Sequence, residues 1–254
     1  MRNILLTIEY DGTNYAGWQV QPNGLSIQQV VEEALAKMLK EPVRLHSSGR
    51  TDAGVHAVGM PASFTTTKTV PLKAFTAGLN GLLPPDVAVR GAREVPLEFH
   101  PRREATSKHY RYTLHVSPNR APLSRLYSWH LRGPLNIDAM REGAGYFVGE
   151  HDFAAFRAAG CAAKTTIRRV VSVAVREQGE FLLVDVKGAG FLRNMVRIMV
   201  GTLVETGLGR RSPDTVRELL QCPDRSVAGV TAPPHGLSLI EVSFGSFFQQ
   251  EKNP

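Results

Sequence analysis

One carboxylate stands alone in a glycine-rich loop. The segment Ser48-Gly49-Arg50-Thr51-Asp52-Ala53-Gly54-Val55-His56-Ala57 places Asp52 between two glycines and close to Arg50, and no other Asp or Glu occurs between Glu41 and Asp86. An ionised carboxylate serves as a nucleophile or a base, and a nearby guanidinium favours the ionised form. Gly49 and Gly54 let the backbone take positive φ and approach a ligand. The plainer reading is an Asx turn, which uses the same residues and needs no reaction.

Two later segments bear on that choice. Lys108-His109-Tyr110-Arg111-Tyr112 lies in a strand-like stretch, with Lys108, Tyr110 and Tyr112 on one face. Rings interleaved with cations suit base stacking combined with phosphate contact. The rival reading is a core tyrosine flanked by solvated cations. Gly188-Ala189-Gly190 follows a strand and precedes a helical pattern, yet Arg193 stands where a dinucleotide fingerprint needs its third glycine. That excludes a Rossmann site, although such a helix start still suits a phosphate. Arg193 and Arg197 are spaced for one helix face, beside an apolar stripe of Leu192, Val196, Met199 and Leu203. An arginine there calls for a paired acid, and Asp52 is a candidate.

The elements that must position these groups follow from periodicity. Alternation predicts strands over 3–10, 43–47, 58–65, 86–95, 105–116, 165–177, 180–187 and 237–244. Helices are predicted over 26–39, where Ser26 and Gln29 form a capping box, and over 71–83, 136–148, 191–206 and 213–221. The lack of strict strand–helix alternation argues for an α+β fold with a largely antiparallel sheet. The rhythm repeats weakly, which divides the chain into an N-terminal α+β subdomain with the glycine loop, 1–104, and a C-terminal one, 105–254. The tail from Gln249 is expected to fray.

The chain has 254 residues, 43% of them hydrophobic, a net charge of +7 and a pI near 9.6. It is long enough for a real core, and its charge points to an acidic partner, nucleic acid first. The basic pairs Arg102-Arg103, Arg168-Arg169 and Arg210-Arg211 together suit a nucleic-acid backbone. Cys161 and Cys222 show no ligand spacing, so neither a disulfide scaffold nor a zinc site is expected, and a cytoplasmic location is. No signal peptide or membrane-spanning run is evident, so no membrane partner is expected. GxSxG and P-loop motifs are missing, and the eight histidines lack metal-ligand spacing.

Several segments, in order over nearly the whole chain, resemble the tRNA pseudouridine synthase A family. They are Tyr10-Asp11-Gly12-Thr13 with Gly17-Trp18-Gln19, Gly49 to Ala57, Lys108 with Tyr110-Arg111-Tyr112, and Gly149 with His151-Asp152-Phe153. Phe191-Leu192 with Met195-Val196-Arg197 and Gly201 follow, then Thr231-Ala232-Pro233 with Gly236-Leu237. The resemblance implies two ferredoxin-like or RRM-like halves joined into an extended, mainly antiparallel mixed sheet flanked by helices, the pseudouridine synthase fold. It implies that Asp52 is catalytic, that Arg50 helps displace the target nucleotide, that Tyr110 stacks on the target uracil, and that Arg197 pairs with the aspartate. It further implies a homodimer without cofactor or metal, which isomerises uridine to pseudouridine at positions 38–40 of the tRNA anticodon stem-loop. A non-catalytic module for structured RNA is the alternative, and a glycosidase-like enzyme would need a second acid near the loop. One departure is Gly59-Met60-Pro61, where the family carries Gly-Gln-Val. Pro61 removes a backbone donor, so an edge or bulged strand is expected there.

Overall fold

The computed structural model describes residues 1–161 and 163–245, so the tail from Gln249 lies outside the described residues. The chain forms two compact units, one of Met1–Thr106 with the segment from Leu239, the other of Ser107–Ser238.

The first unit runs β1 (Arg2–Tyr10), α1 (Ile27–Leu39), β2 (His46–Ser47), β3 (His56–Thr66), α2 (Ala77–Asn80), β4 (Val87–Val95) and α3 (Pro101–Glu104). Strand β1 pairs antiparallel with β3 on one side and β4 on the other, and β2 pairs antiparallel with β3. The resulting order β4-β1-β3-β2 is ferredoxin-like, as the resemblance implies. Ile4, Leu6, Ile8 and Tyr10 are buried, as their shared face requires. Helix α1 buries Ile27, Val31, Ala34, Leu35 and Leu39. Only half of the expected capping box forms. Ser26 Oγ accepts from Gln29 N–H at 3.3 Å, while Gln29 Nε2 donates to Glu33 at 2.9 Å.

The predicted helix over 71–83 is instead a 3₁₀ turn, Leu72–Phe75, followed by the four residues of α2. Asn80 explains its end. Its side chain accepts from Val89 N–H at 2.7 Å and donates to Val89 O at 3.0 Å, tying the chain to β4. Strand β3 is interior, not an edge, but it is bulged just ahead of Pro61: Ile8 opposes Met60 whereas Tyr10 opposes Ala57. The Pro61 carbonyl accepts from Ser48 N–H at 3.0 Å. A strand residue points its N and O to one side, so the missing Pro61 donor falls away from β1.

The second unit contains β5 (Ser107–Val116), β6 (Trp129–Leu131), α4 (Ile137–Tyr146), β7 (Gly149–Asp152), β8 (Ile167–Gln178), β9 (Phe181–Gly188), α5 (Met195–Gly207) and α6 (Asp214–Gln221). Strands β5, β9, β8 and β7 are neighbours in that order, all antiparallel, and the short β6 runs parallel to β5. The path β5-α4-β8-β9-α5 repeats β1-α1-β2-β3-α2 of the first unit, with the same strand order. The fold is α+β. The last strand, β10 (Leu237–Ser243), lies beside β3, and its Ser243 carbonyl accepts from Thr106 N–H at 2.9 Å.

Helix α5 is buried along nearly its whole length. At Gly201 a Cβ would stand 1.8 Å from the Val230 carbonyl oxygen. Thr202 Oγ1 accepts from Gly229 N–H at 3.0 Å and Glu205 Oε1 from Val230 N–H at 3.2 Å, so the 229–230 backbone lies directly on the helix. Two glycine substitutions therefore have opposite signs. Gly201→Ala forces the two backbones apart and is expected to cost about 2–4 kcal/mol. Gly145→Ala sits at an exposed position of α4 with nothing within 4 Å of the added carbon, and should stabilise by roughly 0.5–1 kcal/mol. Urea midpoints of the two variants check both.

Candidate active site

Three sequence-distant segments form one structure around Asp52. The loop turns on backbone groups: Val55 N–H donates to the Asp52 carbonyl at 3.2 Å, and Gly54 has φ +75°. Such a turn demands positive φ at its third residue, which Gly54 supplies. Upstream, Ser47 Oγ donates to the Gly49 carbonyl at 2.7 Å. The first clamp comes from the end of β1. The Tyr10 hydroxyl and Thr51 Oγ1 are 2.8 Å apart, and Gly12 N–H donates to His56 Nδ1 at 3.0 Å. A Cβ on Gly12 would meet the Val55 oxygen at 2.1 Å. The second clamp is Gly17-Trp18. Trp18 N–H donates to the Thr51 carbonyl at 3.2 Å, and Gly17, at φ +94°, approaches so closely that a Cβ would meet that oxygen at 2.6 Å. Asp52 is half-buried on this platform and Arg50 is exposed.

The platform brings in acids that sequence distance conceals. Asp11 Oδ1 accepts from Thr13 N–H at 2.9 Å and lies 3.0 Å from His56 Nδ1. Asp86 Oδ1 accepts the Tyr15 hydroxyl at 2.6 Å, and burial, then this bond, pushes the Tyr15 phenol above its ordinary range. The loop is therefore poor in acids along the chain but not in space. A tyrosine hydroxyl facing an acid across 71 residues leaves no signal in local periodicity.

In the second unit, Tyr110 lies on β5, only 9% exposed, with its ring edge-on to Phe191 at 5.4 Å between centroids. Tyr112 is the core tyrosine. Its hydroxyl donates to the Pro233 carbonyl at 2.7 Å, and Gly236 packs against its ring. Both tyrosines of the strand are thus buried, Tyr112 completely.

The neighbouring cations are paired with an acid. Asp185, 5% exposed on β9, accepts from His109 Nε2 at 2.6 Å, from Arg111 Nε at 2.9 Å and from Arg176. Burial raises its pKa, but hydrogen bonds from Arg176, Arg111 and His109 outweigh it and hold the carboxyl below the ordinary aspartate range. Asp185 was not foreseen, because its partners lie up to 76 residues away.

Arg197 is on α5. Its Nε donates to the Ala232 carbonyl at 2.7 Å and its Nη1 to Asn194 Oδ1 at 3.0 Å. Arg193 does not share that helix face. Asn194, at φ 60°, delays the helix to Met195, leaving Arg193 exposed outside it. The same delay separates Gly188-Ala189-Gly190 from the helix start, so the expected glycine-flanked N-terminus does not form.

Residues 6–102 and 144–245 match the family model described as tRNA pseudouridine synthase. Among curated relatives, tRNA pseudouridine synthase A of Geobacter sulfurreducens is 64% identical over 244 residues, covering 96% of this chain and 100% of the relative. Its namesake in Geotalea uraniireducens is 62% identical over the same shares. That of Myxococcus xanthus is 50% identical, over 96% of this chain and 92% of the relative. Among solved structures, the archaeal box H/ACA sRNP Nop10-Cbf5 complex contains a chain with a TM-score of 0.37 and 14% identity, over 95% of this chain and 48% of that one. That likeness is too slight to carry weight.

The Asp185 cluster has a consequence in acid. Its folded pKa is depressed, so its contribution is complete above the ordinary aspartate range and is lost as pH falls through the folded value. Asp185→Asn should cost about 3–5 kcal/mol at neutral pH and flatten the acid limb of stability. Urea titrations of both proteins from pH 7 to pH 3 test this; parallel acid limbs would refute it.

Proposed function

This chain belongs to the tRNA pseudouridine synthase family, an isomerase family that turns uridine into pseudouridine, and on that premise we propose that Asp52 carries the reaction. The supporting observation is the platform on which two backbone clamps fix the half-buried Asp52. Identity of 50–64% to enzymes of that name sets aside a module that only binds RNA.

The reaction breaks the N1–C1′ bond, turns the base, and joins C5 to C1′. A proton leaves C5 and one is gained at N1, so the product has the composition of the substrate. The base must first leave its stack, at a cost of a few kcal/mol. Stacking on Tyr110 offsets about 1–3 kcal/mol of it. Phe191 supports the ring edge-on and so fixes the face it offers. Arg50, exposed two residues from Asp52, helps displace the nucleotide. Arg197, oriented by Ala232 and Asn194, holds the aspartate ionised and placed. Asp52 then acts at the ribose, either adding to C1′ or taking the C2′ proton. Deuterium at C2′ slows only the second route.

The substrate site we assign is the anticodon stem-loop at positions 38–40, the acting form a homodimer, and the location the cytoplasm. The net charge of +7 supports an RNA partner. Among the described residues, no helix is long and apolar enough to cross a membrane.

Asp52→Asn should abolish pseudouridine formation on unmodified tRNA, by at least about 10³-fold, while tRNA affinity changes less than about threefold. Equal losses of binding and activity would remove Asp52 from the chemistry. Tyr110→Phe keeps the ring and should retain binding. Tyr110→Ala should weaken it by about 1–3 kcal/mol. Filter binding of the two variants separates ring from hydroxyl.

A further inference from the structure

A hollow of about 760 Å³ in the second unit shares no lining residue with those assigned to this reaction. His115, Arg120, Arg125, Trp129, His130 and His235 are among its lining residues, and no Asp or Glu is. It forms where β5 ends. Strand β6 runs parallel to β5 there, with Trp129 opposite Leu114 and His130 opposite His115. The chain between the strands supplies Arg120 and Arg125, both exposed.

His115 is the unusual group. It is 2% exposed, and neither ring nitrogen has a hydrogen-bond partner among the described residues. The Glu180 carboxylate comes only to 3.5 Å of Nε2. His130, by contrast, uses its Nε2 on the Ser117 carbonyl at 2.8 Å. Buried polar groups are normally satisfied, so a buried imidazole without a hydrogen-bond partner beside a hollow points to a ligand. The volume lies in the ordinary range for small-molecule sites. Two guanidinium groups and no acid select an anion. The Trp129 ring adds a flat apolar surface, held edge-on to Tyr112. Among the described residues no three His, Cys, Asp or Glu side chains are grouped to hold a metal ion.

We propose that this hollow binds a nucleotide, with its phosphate between Arg120 and Arg125, its base on Trp129, and a hydrogen bond to His115. The source favoured by the protein's charge is an unpaired nucleotide of bound tRNA, which rests on the function proposed above. A free mononucleotide is the other source of the same chemistry. His115 lies five residues beyond Tyr110 on β5, about 17 Å along the strand, so the hollow is distinct from the place assigned to the target uracil.

Tryptophan emission of the full chain tests this during titration with uridine 5′-monophosphate, with inorganic phosphate, and with unmodified tRNA. Trp18 is buried in the first unit, and loss of the response in Trp129→Phe assigns the signal. The mononucleotide and tRNA should each give a saturable change and phosphate alone none. His115→Phe, and separately Arg120→Ala with Arg125→Ala, should weaken the response about tenfold. The arginine variant keeps the result readable if His115→Phe does not fold. Mononucleotide binding blocked by prior tRNA identifies tRNA as the source. Mononucleotide binding indifferent to tRNA identifies a free nucleotide. No saturable change with either ligand, or a change untouched by the arginine variant, overturns the proposal. Pseudouridine counted in the same samples separates the two readings, since lost isomerisation with a retained emission response strikes only at the active site.

Discussion

Gly12 and Gly17 allow the closest approaches in the first unit. They set the β1 end and the following turn against the carbonyls of Val55 and Thr51 at distances no side chain permits. Everything proposed for Asp52 depends on that approach. A loop of this length tethered only by its ends would sample many conformations, each costing entropy to select. Here the Thr51 carbonyl is engaged by Trp18 N–H, the Thr51 hydroxyl by Tyr10, and His56 by Gly12. The chain on both sides of Asp52 is therefore held in place. Placement within a fraction of an ångström is what an attack or proton abstraction at one ribose carbon requires.

The second unit uses the same device for a cation. Gly201 and Gly229 let the 229–230 backbone lie on α5, and that contact fixes the chain just ahead of Ala232. The Ala232 carbonyl accepts from Arg197 Nε, and Ala232 N–H returns a bond to the Arg197 carbonyl at 3.1 Å. Asp185 has a different task. By engaging His109, Arg111 and Arg176 it neutralises part of the β5–β8 face. The positive charge available to an RNA is therefore less evenly spread than the net charge suggests, and the paired cations of β5, which alternate with Tyr110 along the strand, lie on the opposite face of the sheet from its ring.

What was legible in the sequence was local. The alternation of Ile4, Leu6, Ile8 and Tyr10, the helix begun at Ser26, and the positive φ of Gly54 each express a period, a cap or a single φ angle, and each is formed. What was not legible involved long range or exception. Strands β6 and β7, at three and four residues, are too short to show a period. Asn194 takes a left-handed conformation that residues other than glycine adopt rarely, and one such residue moves the start of a helix and the side of an arginine. The ties of Asp185 to His109 and Arg111, and of Tyr15 to Asp86, join residues that no local window contains.

The departure at Met60-Pro61 shows how a changed sequence can preserve a platform. Where the family resemblance implies a glutamine, Met60 is fully buried, and its Sδ accepts the Ser48 hydroxyl at 3.6 Å. A buried amide in its place would need partners for up to four hydrogen bonds, whereas a thioether needs none. Pro61 then restricts φ at the next residue, and its carbonyl still holds Ser48 N–H. The result is a strand that gives up one donor on a side where no β1 partner was waiting, and that keeps both of its contacts to the residue opening the Asp52 loop. The constraint acting on this stretch is therefore the position of Ser48, and more than one side-chain chemistry satisfies it.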